Sequence, residues 1–221
     1  MIKMSKLFTI LVLLFALPVL GQNHHVGLKG GVNWTNVRAK NSFENTKYKI
    51  GYTAGLSYQY QLKNNYHFGL DFIYAQKGFD DIIVFTDDFG NSTGTKYTSE
   101  FDYNYFSIPL KAGFSVGNKL SSFMNIGIVP SWLTSAVYRS PANKSSWEGV
   151  VLDVTDEVTK FDLGGLVEIG GSYTLFDQYI MYTTFGYQHS FTSFTNENYF
   201  NNTEVRHYGF GFSIGLKYVF D

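Results

Sequence analysis

Six charged residues stand at alternate positions of segments that are otherwise apolar or rich in small residues. They are Lys29, Asp71, Lys111, Asp162, Glu168 and Lys217. Lysines and carboxylates gathered in a folded interior can form ion pairs, a proton or solute path, or an active site. Because opposite charges in a poorly hydrated interior are stable only when they are paired, we predict that these residues form a buried polar network. We assign none of them to catalysis, to a cofactor or to a metal.

The adjacent pair His189 and Ser190 is the strongest hint of nucleophilic catalysis in the sequence. A serine acts as a nucleophile when an imidazole lies within hydrogen-bond reach. Both residues fall in a segment with the two-residue period of a β-strand, in which neighbouring side chains point to opposite faces. We therefore predict that the two side chains diverge and that the chain is not an enzyme.

Other kinds of site are excluded by the residue types that the chain has and lacks. The chain has no cysteine, which excludes disulfides, thiolate metal ligands and a cysteine lipid anchor. His24 and His25 are adjacent, while His67 and His207 are predicted near opposite ends of the fold, too far apart to share a metal. The formal net charge is −1, without the basic excess of a nucleic-acid-binding domain. We predict no cofactor, no metal and no nucleic-acid partner.

The composition also narrows the fold. Charged residues make up 16% of the 221 residues, against roughly 25% in soluble domains, while aromatic residues make up 19%. The mean hydropathy is nevertheless slightly negative. Apolar residues must therefore be interleaved with polar ones, which excludes a helical membrane protein, a coiled coil and a disordered chain. A sheet with one apolar and one polar face fits this composition.

Residues 1–21 have the layout of a cleavable secretory signal. Two lysines precede an apolar run that ends at Leu20, and Gly21 follows it. The run is shorter than the roughly 20 residues that a membrane-spanning helix needs. We predict cleavage after Gly21, which leaves residues 22–221 as a single domain.

Strict alternation of bulky apolar residues with small or polar ones governs the rest of the chain, most clearly in residues 52–62 and 207–220. This two-residue period indicates β-strands. The predicted strands span 26–34, 52–62, 66–77, 105–116, 122–133, 161–175, 179–190 and 207–220. They are long enough to match the roughly 9–11 residues with which a tilted strand crosses a bilayer. Within one of them, Pro109 removes a ladder hydrogen bond and, with Gly113, predicts a bulge or bend.

Short and long connections alternate between these strands. The short turns are 63–65, 117–119 and 176–178, and the long polar loops are 35–47, 78–104, 134–160 and 191–206. An even number of antiparallel strands with this alternation is typical of barrels with periplasmic turns and extracellular loops. The predicted fold class is therefore all-β, an eight-stranded antiparallel up-and-down transmembrane β-barrel with both termini periplasmic.

The two faces of the strands distinguish a membrane barrel from a soluble one. Tyr, Phe and Leu crowd one face, while glycines such as Gly31 and Gly215 crowd the other. The interior of an eight-stranded barrel has room only for side chains, so we predict that the bulky face points outward to lipid. Aromatic residues near strand ends, among them Trp34 and Tyr105, predict two interfacial girdles. A soluble barrel or sandwich with an apolar interior is the alternative.

Three stretches carry a resemblance to the PorT-like outer membrane β-barrel family of Bacteroidetes-type bacteria. Residues 27–34 (GLKGGVNW) resemble its opening strand, and residues 105–111 (YFSIPLK) are similar to its fourth-strand motif. Residues 68–78 (FGLDFIYAQKG) resemble its third-strand motif, although the family more often has Glu where Asp71 stands. The resemblance implies an outer membrane barrel. The aromatic Phe220, which one further residue follows, implies insertion by the barrel assembly machinery.

The expected role is structural or interactive and non-enzymatic, in a barrel with a filled lumen and long extracellular loops. The expected partners are outer membrane lipid or lipopolysaccharide, the barrel assembly machinery during biogenesis, and a protein partner bound through the loops. Loop aromatics such as Phe79 and Phe89 could dock that partner, and the acidic loop residues are expected to be solvated. An envelope-assembly or protein-secretion component of the PorT type is the alternative, and a lipid-modifying outer membrane enzyme is the second alternative.

Overall fold

A computed structural model describes residues 24–39, 45–62, 65–86, 89, 91–140, 149–196, 199 and 203–220. The predicted signal segment, 1–21, lies outside these residues. The strands of the described chain are β1 (His24–Ala39), β2 (Thr46–Gln61), β3 (Tyr66–Thr86), β4 (Ser92–Ser107), β5 (Leu110–Gly117), β6 (Leu120–Ser140), β7 (Val150–Asp153), β8 (Phe161–Phe176), β9 (Tyr179–Ser190) and β10 (Val205–Phe220). A 3-10 turn at Thr155–Glu157 follows β7.

All of these strands belong to one antiparallel sheet that closes on itself. β1 pairs with both β2 and β10, and the pairing continues through β9, β8 and β6 back to β3 and β2. β4 and β5 lie end to end between β3 and β6, so they occupy one position of the ring. β7 is a short addition that pairs with β6. The sheet is a ring of eight strands, which confirms the predicted all-β, antiparallel up-and-down architecture.

The two ends of the ring differ in their connections. The β2–β3, β5–β6 and β8–β9 connections are short, and His24 and Phe220 lie at the same end, which we call the turn end. The opposite end, the loop end, carries the β1–β2, β3–β4, β6–β8 and β9–β10 connections. Three short turns and both chain ends therefore gather at one end, as the sequence indicates.

The strands reach further toward the loop end than the sequence predicts. β3 continues to Thr86 and β4 begins at Ser92, so most of the predicted loop 78–104 is a β-hairpin. The prediction of a long loop was wrong there because acidic residues on one face of the hairpin obscure the alternation on the other. β6 likewise continues to Ser140, well into the predicted loop 134–160.

Pro109 interrupts the strand without shifting its register. Ser107 pairs with Ile73 and Leu110 with Leu70, which is one continuous register along β3. Because proline has no N–H to donate, the ladder is interrupted between β4 and β5. The Pro109 carbonyl still accepts a hydrogen bond of 3.1 Å from the backbone N–H of Asp71. The predicted bulge at Pro109 was therefore wrong.

The outer wall of the ring is apolar and the interior is largely polar, which confirms the predicted orientation of the two faces. Leu28, Ile126 and Ile214 are more than half exposed on the outer wall, whereas Lys29, Asp71 and Glu168 are buried inside. Glycine makes room for this interior. A Cβ on Gly113 would clash with Asn125 and His67, and a Cβ on Gly215 would enter the ring of Tyr182.

The lumen at the loop end is filled by a cluster of buried apolar side chains, which we call the aromatic plug. It comprises Val37, Phe79, Phe101, Tyr103, Tyr105, Leu133, Ala136, Val154, Val158, Phe194, Tyr199 and Val205. Tyr105, predicted in an outer girdle, and Phe79, predicted to be available for docking, are both fully buried. Those two predictions were wrong because both residues lie on the inward face of strands that continue past their predicted ends.

Candidate functional site in the barrel lumen

Four of the six predicted charged residues meet in the middle of the lumen and form what we call the central network. Lys29 Nζ lies 3.0 Å from Glu168 Oε2 and 3.5 Å from Asp71 Oδ2. Lys111 Nζ lies 2.6 Å from Asp71 Oδ2 and 3.6 Å from Glu168 Oε1. Each lysine therefore contacts both carboxylates. These residues come from four different strands, so the network ties opposite walls of the ring together.

Neutral polar groups extend the central network toward the turn end. Asn125 donates a hydrogen bond of 2.8 Å to Glu168, and its carbonyl oxygen accepts one of 2.6 Å from His67 Nε2. Lys217 lies nearby but is paired differently, since its Nζ donates to Gln59 Oε1 at 2.6 Å and stands 4.3 Å from the centre of the Tyr182 ring. Among the described residues no carboxylate lies within ion-pair distance of Lys217.

The sixth predicted residue, Asp162, belongs to a separate cluster nearer the loop end. Its carboxylate accepts hydrogen bonds of 2.8 Å from Lys77, 2.8 Å from Ser190 and 2.9 Å from Thr192. Lys77 also stands 4.8 Å from the centre of the Tyr105 ring. Lys77 was not among the predicted members of the site. Its position six residues after Asp71, on the same inward face of β3, is the signal that would have found it.

His207 stands between the Asp162 cluster and the aromatic plug. Its ring is stacked on Phe194, with 4.4 Å between the ring centres, and contacts Tyr103 edge-on at 5.0 Å. Neither ring nitrogen has a hydrogen-bond partner within the part of the chain that the structure describes. Ser190 donates to Asp162 and not to His207. The trio of serine, aspartate and histidine therefore lacks the serine–imidazole contact that nucleophilic catalysis requires.

A cavity of about 90 Å³ separates the central network from the aromatic plug. Lys29 and Glu168 line it on one side, and Lys77, Ser190 and His207 line it on the other. The charged groups on its walls are already engaged, since Lys29 pairs with Glu168 and Lys77 pairs with Asp162.

His189 and Ser190 diverge. Ser190 is buried against Asp162 inside the ring, whereas His189 lies on the outer wall beside Tyr187, with their ring centres 6.5 Å apart. The prediction that the two side chains point to opposite faces is confirmed.

We expect His189→Ala to leave the acylation of lipid A unchanged, because an outward imidazole cannot take a proton from an inward hydroxyl. Mass analysis of lipid A from cells that express either form would check this, with an empty-vector strain as the control. A change in acyl-chain number that depends on His189 would contradict it and would revive the enzymatic alternative.

A second group of charges lies near the loop end, at the base of the β3–β4 hairpin. Lys49 Nζ lies 2.8 Å from Glu100, 3.0 Å from Asp102 and 3.7 Å from Asp80, and Arg139 pairs with Asp102. The hydrogen bond from Lys49 holds the pKa of Glu100 below its usual value. Partial burial raises the pKa of Asp80. These ion pairs fasten the hairpin to β2 and β6.

The described residues contain no group of three or more His, Cys, Asp or Glu side chains placed to hold a metal ion. They also contain no helix that is long and apolar enough to span a membrane.

A closed ring of eight antiparallel strands, apolar outside and filled with paired charges inside, defines the class of membrane-spanning β-barrels. Residues 20–221 match the family model described as the outer membrane protein beta-barrel domain. The chain belongs to this family. A comparison with curated proteins finds no match.

Solved barrels similar to this chain come from several bacteria. Ail of Yersinia pestis, in complex with the heparin analogue sucrose octasulfate, is 13% identical over 90% of this chain and 99% of that chain, with a TM-score of 0.43. Neisserial surface protein A is 12% identical over 89% of this chain and 96% of that chain, with a TM-score of 0.48. The outer membrane protease OmpT of Escherichia coli is 11% identical over 90% of this chain and 94% of that chain, with a TM-score of 0.45.

Proposed function

We propose that this protein is a closed, non-conducting outer membrane barrel whose role is structural or interactive and non-enzymatic. The observation that carries the proposal is the double closure of the lumen. The central network links opposite walls, and the aromatic plug fills the lumen beyond it. A solute crossing the lumen would have to separate paired buried charges and displace buried aromatic side chains, both of which are costly.

The loop end supplies the surface through which such a barrel would act. The β3–β4 hairpin stands beyond the apolar belt, and Phe89 at its tip is 91% exposed. Val151 of the short strand β7 is also exposed. An exposed aromatic side chain at the end of a projecting hairpin is a suitable contact for another protein. This supports the role of the loops in binding a protein partner.

The proposal includes an orientation and a route of biogenesis. Residues 1–21 act as a cleaved secretory signal, the turn end and both termini face the periplasm, and the loop end faces outward. The barrel assembly machinery inserts the chain, and outer membrane lipid or lipopolysaccharide surrounds it. The motifs at 27–34, 68–78 and 105–111 support a place in the PorT-like group, for which an envelope-assembly or secretion role is the alternative.

We expect the purified barrel to show no stepwise conductance in planar lipid bilayers, because the ion pairs of the central network and the buried side chains of the aromatic plug obstruct the lumen. Current recordings over a range of voltages would measure this, with a known open porin as the positive control. Reproducible single-channel steps of porin size from a homogeneous, folded sample would overturn the proposal.

A further inference from the structure

The outer wall along the β1–β10 pair shows a graded sequence of directly opposed residues. At the loop end Arg38 faces Arg206, and one step below it Asn36 faces Tyr208. Continuing toward the turn end, the next opposed pairs are Trp34–Phe210, Val32–Phe212, Gly30–Ile214 and Leu28–Leu216. These residues share the outward parity of the two strands, although the side chain of Asn36 is buried. From the turn end to the loop end, the side chains of these pairs are therefore first aliphatic, then aromatic and finally cationic.

This gradient fixes the height of the two arginines relative to a bilayer. Aromatic girdles of membrane barrels lie at the border of the hydrocarbon layer. Two strand residues advance about 7 Å along the strand, and the tilt of barrel strands reduces this to roughly 5 Å along the membrane normal. Arg38 and Arg206 therefore lie just above Tyr208, at the level of the lipid headgroups.

The charges of this arginine pair are incompletely compensated. Directly opposed side chains on antiparallel strands have Cβ atoms about 5 Å apart, and like charges at this spacing repel. Arg206 donates one hydrogen bond of 2.9 Å to Glu204, but its Nε is buried without a partner among the described residues. Arg38 forms no hydrogen bond or ion pair with any described residue. An anion between the two guanidinium groups would relieve both deficits.

Other cations near the loop end are paired differently. Lys49 lies on β2, the strand next to β1, and Arg139 lies on β6 across the ring, and each is paired with carboxylates of the β3–β4 hairpin. Lys49 and Arg139 are thus neutralised by nearby carboxylates, whereas the arginine pair is not fully neutralised. Of the two opposed arginines, only Arg206 contacts a carboxylate among the described residues, that of the exposed Glu204.

We propose that Arg38 and Arg206 form a binding site for the phosphate group of a lipid in the surrounding leaflet, with Tyr208 packing against the lipid below that phosphate. The guanidinium group presents a planar fork of donors that matches phosphate oxygens. Because both side chains point toward lipid, the phosphate that they bind belongs to a membrane lipid. The proposal rests on the outward orientation of the loop end, under which the ligand is the phosphorylated sugar headgroup of an outer-leaflet lipid.

The test compares lipid binding by the full mature barrel and its variants in detergent micelles, measured by native mass spectrometry. The probes are lipid A with both phosphates, the same lipid after enzymatic dephosphorylation, and inorganic phosphate alone. We expect Arg38→Gln or Arg206→Gln to weaken binding of phosphorylated lipid A about tenfold and the double variant about a hundredfold, as expected for charge-assisted contacts. Arg38→Lys, which keeps the charge without the fork, should fall between wild type and Arg38→Gln.

Lys160→Gln is the matched control, because Lys160 is a loop cation already paired with Asp156 at 2.9 Å, and its binding should be little changed. Heat-dependent gel mobility verifies that each variant is folded. Equal binding by the double variant, or equal binding of dephosphorylated lipid A, would overturn the proposal. Displacement of the lipid by inorganic phosphate at equal concentration would also overturn it. The conductance test is independent, since a closed lumen does not require the arginine pair.

Discussion

Glu168→Gln is expected to lower the free energy of unfolding of the barrel by about 3–5 kcal/mol, the cost of removing one partner from a buried ion pair. The substitution preserves shape but leaves Lys29 and Lys111 with a single carboxylate, that of Asp71, between them. It also weakens the hydrogen bond that Asn125 donates at 2.8 Å. Urea unfolding of the barrel refolded in lipid vesicles, followed by tryptophan fluorescence, would measure the change.

Lys217→Met is the control for this experiment, because Lys217 is buried in the same region but donates to neutral Gln59. Replacing a buried charge that has no ionic partner by an apolar side chain of similar length is often neutral or stabilising. We expect a change of no more than about 1 kcal/mol in either direction. Equal destabilisation by the two substitutions would show that the ion pairs of the central network do not stabilise the barrel.

Phe194→Ala is expected to destabilise the protein by about 3–5 kcal/mol, the usual cost of truncating a fully buried phenylalanine. Phe194 is only 1% exposed and contacts both Tyr103 and His207 in the aromatic plug. Its backbone also joins neighbouring segments, because its carbonyl accepts a hydrogen bond from Thr159 and its N–H donates one to Val205. Equilibrium unfolding and hydrogen exchange at the loop end would measure the effect.

Phe191→Ala provides the comparison within the same connection, since Phe191 is 53% exposed on the outer side. Its truncation should cost less than about 1 kcal/mol, because little buried apolar area is lost. Faster hydrogen exchange in Phe194→Ala should be concentrated near Val205 and Thr159, with the turn end unaffected. Equal effects of both substitutions would show that the aromatic plug does not stabilise the loop end.

The sequence predicts the ring well because its physical cause is local. Each strand must place bulky side chains toward lipid and small ones inside. Side-chain size therefore alternates with a two-residue period along β2 and β10. The orientation of His189 and Ser190 follows from the same rule. Properties that depend on the parity of a strand position can be read from the chain alone.

Properties that depend on the relative height of distant residues cannot be read in this way. Asp162 shares an inward face with Glu168, yet it pairs with Lys77, because the stagger between strands sets which side chains meet across the lumen. The aromatic plug was missed for another reason. Phe101 and Tyr103 keep the inward parity of β4, but Asp102 between them and Glu100 before them resemble a solvated loop.

The closure of the ring by β1 and β10 has a consequence for how the chain folds. His24 pairs with Phe220 and Ala39 with Val205, so the final seam joins residues separated by nearly the whole sequence. Contacts of such large sequence separation carry a high loop-closure entropy and form slowly. Every earlier hairpin can form between neighbours, but each intermediate exposes two unpaired strand edges until the last strand arrives. The slow, aggregation-sensitive step in the folding of this barrel is therefore the joining of its first and last strands.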